Sequence, residues 1–110
     1  MIDETISRIE NRIKNSTLMQ EGNKGELLKL VADLKGEITE LSKTHPAHAE
    51  SIAGFTDISS HEAVRDDKHA DLLKLSSDGL LASVREFEQS HPRLVSIANT
   101  ISNTLSNMGI

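Results

Sequence analysis

Ile2, Ile6, Ile9 and Ile13 step by four, three and four residues, the spacing that lines four side chains along one stripe of an α-helix. Almost every other apolar residue keeps the same period. Leu27, Val31, Leu34, Ile38 and Leu41 form a second stripe, widened by Leu28 and Leu30. Leu94, Ile97, Ala98, Ile101, Leu105 and Met108 form the last. No run alternates with period two for long enough to build a strand, so the pattern predicts an all-α fold.

The interruptions divide the stripes. Asn15-Ser16-Thr17 offers capping side chains and Gly22-Asn23-Lys24-Gly25 weakens helix propensity, which places the first connection between residues 15 and 25. A second helix then runs to about Ser42. At Thr44-His45-Pro46 the proline lacks an N–H, which breaks a helix interior but suits the first position of a new helix, with Thr44 or His45 as its cap. Ala49, Ile52, Ala53 and Phe55 give this third helix a small-residue face suited to close approach. Ser59 and Glu62 have capping-box spacing, so that segment either restarts the helix or lies within it. Arg65-Asp66-Asp67-Lys68-His69 reads as an exposed turn. The fourth helix carries Leu72, Leu73, Leu75, Leu80, Leu81, Val84 and Phe87, and Ser90-His91-Pro92 repeats the earlier break. The expectation is a single helical domain over residues 1–110, with about five helices forming bent helical hairpins in a bundle.

The halves resemble each other. Leu27-Leu28-Lys29-Leu30 recurs as Leu72-Leu73-Lys74-Leu75, Thr44-His45-Pro46 as Ser90-His91-Pro92, and Ser51-Ile52-Ala53 as Ser96-Ile97-Ala98, at offsets of 45, 46 and 45. An internal duplication and a chance likeness between similar helices both account for such short matches.

Composition excludes several function classes. Leu, Ile, Val and Phe supply 29 of the 110 residues, enough for a core. Cys, Trp and Tyr are absent, which removes disulfides, thiolate metal sites and cysteine nucleophiles. The formal charge of −5 argues against a nucleic-acid partner, whose phosphates need clustered Lys and Arg. The first residues lack the basic and apolar regions of a secretory signal, and no stretch approaches the roughly 20 apolar residues of a membrane span. A soluble, cytoplasmic protein without membrane contact is expected.

Two stretches carry a family likeness. Phe87-Glu88-Gln89-Ser90-His91-Pro92 and the ending Asn107-Met108-Gly109-Ile110 resemble an uncharacterised family of short bacterial proteins, a domain of unknown function. Its members look like helix pairs with a Phe-Glu-x-Ser-His-Pro stretch and an Asn-x-Gly-Ile tail. The likeness is clearest at the C-terminal end and weaker from Glu26 to Leu41. It implies a small helical protein and brings no activity, substrate or catalytic residue.

Chemistry, if present, would rest on the five histidines at 45, 48, 61, 69 and 91. His45 and His48 are three apart, and Glu88 and His91 have the Glu-x-x-His spacing of helical di-metal sites. Such a site needs the motif twice. The equivalent place in the first half reads Ser42-Lys43-Thr44-His45, without a carboxylate, so the His-Pro pairs are read as helix starts and no metal or cofactor is expected. His61, Glu62 and His69 are read as solvated surface, and so are Asp66-Asp67 and Glu86/Glu88. No serine lies in a Gly-x-Ser-x-Gly elbow and the glycines form no phosphate loop, so no catalysis is expected.

The C-terminal segment stands apart. Residues 94–110 carry no charge in 17 positions. Leu94, Ala98, Ile101, Leu105 and Met108 make a heptad-like seam, opposite an uncharged face of Ser96, Asn99, Thr100, Asn103 and Asn107. The seam is the expected interface of a homo-oligomer, a dimer above all, with a further protein partner possible. The leading function is a small self-associating interaction or structural module without catalysis. A metal-binding or enzymatic domain using the histidines, and an acidic regulator of a basic site, are the alternatives.

Overall fold

In the computed structural model, which describes residues 2–108, the Ile2–Ile13 stripe falls on α1 (Ile2–Asn15) and buries Ile6, Ile9 and Ile13. Asp3 and Glu4 in its first turn and Arg12 and Lys14 in its last complement the helix dipole. The helices that follow are α2 (Glu21–Ser42), α3 (Pro46–Val64), α4 (Ala70–Val84) and α5 (Pro92–Met108), with a 3₁₀ turn at Arg85–Phe87 between the last two. No strand occurs among the described residues. The first connection is residues 16–20, where the Leu18 amide donates to Ser16 Oγ at 3.3 Å. Gly22 and Gly25 are helical, because the Leu27, Val31, Leu34, Ile38 and Leu41 stripe they precede is buried and packing outweighs their weak propensity.

Both His-Pro breaks are full reversals rather than kinks. The His45 amide donates to Leu41 O at 2.8 Å, ending α2, and His45 O accepts from the Ala49 amide at 3.0 Å, starting α3 behind Pro46. The second break repeats both bonds, His91 N to Phe87 O at 2.7 Å and Val95 N to His91 O at 3.3 Å. The likeness of the two sequence stretches is therefore a likeness of backbone as well.

Helices α2, α3, α4 and α5 pack as a ring in which each touches the next and α5 closes on α2, while α1 lies across α2 and α3. α3 touches all the other helices. That position accounts for its small buried residues, Ala49, Ala53, Thr56, Ser59, Ser60 and Ala63 beside Ile52, since short side chains let neighbouring helices come close on several sides. Ser59 does not restart a helix: it sits inside an unbroken α3, fully buried, with its hydroxyl unpaired. The Ile stripe of α1 thus finds its cover within the chain, and the radius of gyration of 12.9 Å fits a closed core of this size. No helix among the described residues is long and apolar enough to cross a membrane.

Polar contacts fix the outer helix. Arg12 Nη1 donates to Asp57 Oδ1 at 2.6 Å, to Asp57 O at 3.0 Å and to Ser60 Oγ at 2.7 Å, and Arg8 Nε reaches Asp57 Oδ2 at 3.1 Å. Replacing Asp57 by Ala leaves a half-buried guanidinium short of its acceptor. The expected loss is about 1–3 kcal/mol in chemical denaturation, with faster amide exchange confined to α1; uniform faster exchange throughout the bundle would contradict this docking role.

Candidate interaction surface

The C-terminal seam faces inward. Leu94, Ala98, Ile101 and Leu105 are buried in the chain's own core, on the side of α5 that meets α2 and α4, and Met108 is half-buried at the end. The face expected to join two chains therefore serves the fold itself, because the ring of helices needs an apolar face from α5 to close. The opposite stripe, Ser96, Asn99, Thr100, Asn103 and Asn107, is exposed. Thr100 and Thr104 turn their hydroxyls back to backbone carbonyls at Ser96 and Thr100, at 3.0 and 2.8 Å.

Three histidines converge where the two reversals meet. Phe87, buried, is ringed edge-to-face by His45 at 5.3 Å, His48 at 5.4 Å and His91 at 5.8 Å between ring centres. His45 Nδ1 shares a hydrogen bond with Thr44 Oγ1 at 2.8 Å, and His91 Nδ1 one with Ser90 Oγ at 3.0 Å. His45 holds the position before Pro46, but its ring does not cap α3. His48 Nε2 lies 3.1 Å from Glu86, so Glu86 rather than Glu88 meets an imidazole. Among the described residues no three His, Asp or Glu side chains converge in a way suited to a metal ion. The arrangement is aromatic packing that locks one hairpin end to the other.

His61 and His69 are separate and exposed, 4.0 Å from Glu62 and 3.9 Å from Asp67 respectively. Arg65 links the same turn, donating to Glu62 at 2.9 Å and to both Asp67 oxygens at 3.1 and 3.2 Å. Those bonds hold the Asp67 carboxyl below its ordinary range and raise the Arg65 guanidinium. Asp67 therefore favours the fold above the ordinary carboxylate range and loses that contribution as pH falls through its lowered value.

Three of the four large exposed apolar side chains among the described residues lie on α3 and α4; the fourth, Leu18, 52% exposed, lies in the α1–α2 connection. On the α3/α4 face Leu75 is 68% exposed, Ile58 51% and Leu72 40%. With Phe55 they border a shallow depression of about 180 Å³, closed at its edges by Glu62 and Ser76. Phe55 lies over Gly79 so closely that a Cβ there would sit 2.5 Å from its ring. Lys74 and Asp78 flank the patch on α4, paired at 2.8 Å, and this hydrogen bond raises the Lys74 ammonium. A larger cleft, about 470 Å³, opens between Leu18, Met19, Glu26, Lys68 and Thr104, but its lining is mostly polar and gathers no cluster of like charge.

The model of a family described as a domain of unknown function, DUF4404, matches residues 56–110. The chain belongs to that family. No curated protein and no solved structure is detectably similar to it. The DUF4404 match takes in Ile58, Leu72, Leu75, Phe87 and His91, and leaves α1, α2, His45 and His48 outside. Of the tail that resembles the family, Gly109 and Ile110 lie outside the described residues.

The apolar patch was legible in part. α4 carries Leu72, Leu73, Leu75, Leu80 and Leu81, more leucines than one face holds, and at about 100° per residue Leu72 and Leu75 stand well away from the buried Leu73, Leu80 and Val84. The sequence does not tell which of the two groups turns outward.

Replacing Phe87 by Leu keeps the site apolar and removes the shared ring. The ring-current displacements of the His45, His48 and His91 imidazole protons should then shrink together, with the mutual contribution of His45 and His48 remaining, while those of His61 and His69 stay. Independent behaviour of the three in NMR spectra would contradict the cluster.

Proposed function

We propose that this DUF4404 chain is a helical module that acts by contact, associating with a second copy of itself through the α3/α4 patch, and carries out no catalysis. The observation behind this reading is the grouping of Ile58, Leu72 and Leu75 around one depression. Apolar side chains scattered singly are ordinary on a surface, whereas a group of them bordering one hollow is a feature of contact sites. The His-Pro residues support the non-catalytic reading: His45 and His91 pack on Phe87 and bond the hydroxyl beside them. A patch of this size fits a reversible dimer better than an obligate one, whose interfaces are larger and more continuous.

Light scattering coupled to size exclusion tests the reading. The mass should climb from 12.1 kDa towards twice that value as concentration rises. Leu75→Glu should hold it at the monomer value with the melting temperature little changed, since Leu75 is exposed in the single chain. Wild-type protein that stays monomeric at its highest soluble concentration would overturn the proposal.

A further inference from the structure

The charges beside the patch point to how two copies meet. Lys74 and Asp78 are both exposed, one turn apart, and both lie on the same side of Leu75 around the α4 axis, by about 100° and 60°. Leu72 lies on the other side, towards Phe55 and Ile58 on α3. An α4 helix laid against its own copy thus presents one apolar flank and one charged flank.

The two possible directions differ sharply. In a parallel pair related by a two-fold axis along the helices, opposite flanks adjoin, so Lys74 and Asp78 of each copy lie against the Leu72 flank of the other and meet no charged partner. In an antiparallel pair related by a two-fold axis level with Ser76, the same flanks adjoin but in reversed order. Lys74 of one copy then stands level with Asp78 of the other, and the match occurs twice. The two Leu75 side chains lie about 3 Å apart along the helix direction, near enough to pack across the axis. Opposite charges at matched positions are favourable and the parallel pair offers no such match, so the pattern selects the antiparallel arrangement.

The same pattern selects the partner. Asp71, also exposed, lies on the same flank about 40° from Leu75, so the face carries both signs, and within it Lys74 and Asp78 are spaced to complement themselves under a two-fold rotation, which a second copy supplies. Resting on the self-association proposed above, the geometry points to an isologous, antiparallel α4 to α4 contact centred on Ser76, in which the Lys74–Asp78 pair within each chain is exchanged for two pairs between chains.

Charge exchange tests this directly. Lys74→Asp and Asp78→Lys should each weaken self-association by at least about tenfold, because each creates two like-charge contacts. Mixed one to one, the two variants should recover a dimer, now a heterodimer, since every facing pair is again opposite in sign. A stability change confined to the single chain cannot produce that recovery, and circular dichroism of each variant verifies the fold. If both singles associate as the wild type does, or if the mixture stays monomeric while Leu75→Glu still abolishes wild-type association, the antiparallel register is overturned and the patch stands. A monomeric wild type overturns both.

Discussion

The architecture depends on how closely other helices can approach α3. That helix touches every other, and its fully buried positions are mostly alanines, serines and a threonine beside Ile52, with Phe55 and Val64 packed at the edge of the core. Longer residues on those faces would separate the neighbours and open the core. Because α3 takes up little space, the large side chains that fill the interior come from its partners: Ile6, Ile9 and Ile13 from α1, Leu34 and Ile38 from α2, Leu80 from α4, Leu94 and Ile101 from α5. The apolar face of α5 is part of that filling, whereas α4 leaves Leu72 and Leu75 exposed.

A second constraint lies at the end where both His-Pro reversals sit. Each reversal repeats the same backbone bonds, and each brings its histidine to Phe87. One buried ring therefore couples the α2–α3 turn to the α4–α5 turn. The histidines look like ligands in sequence because His45, His48, Glu88 and His91 have helical spacing. In space they are arranged around a hydrocarbon centre, and the carboxylate that reaches one of them, Glu86, lies on the intervening 3₁₀ turn.

Much of the fold was readable because each stripe has one period and each break a clear chemical cause. Pro46 and Pro92 mark helix starts to the residue. The glycines at 22 and 25 mislead, since local propensity yields to the buried stripe beside them. Ser59 and Glu62 mislead likewise: their spacing fits a cap, but both are buried within one continuous helix, and Glu62 is held by Arg65. The candidate surface was harder to read. An apolar helix face has the same sequence signature whether it covers a core or a partner, so the seam of Leu94, Ala98, Ile101 and Leu105 could not be told from an interface. The edge-to-face contacts of His45 and His48 with Phe87 join residues 42 and 39 positions apart, and no local pattern encodes them.

The central claim is that chains meet on the α3/α4 face and not on α5. Methyl NMR spectra recorded over a concentration series test it most directly, because each apolar residue reports its own surroundings. The account predicts concentration-dependent shifts for Ile58, Leu72 and Leu75, with the signals of Leu94, Ile101 and Leu105 unmoved. Shifts centred on α5, or none at any concentration, would contradict it.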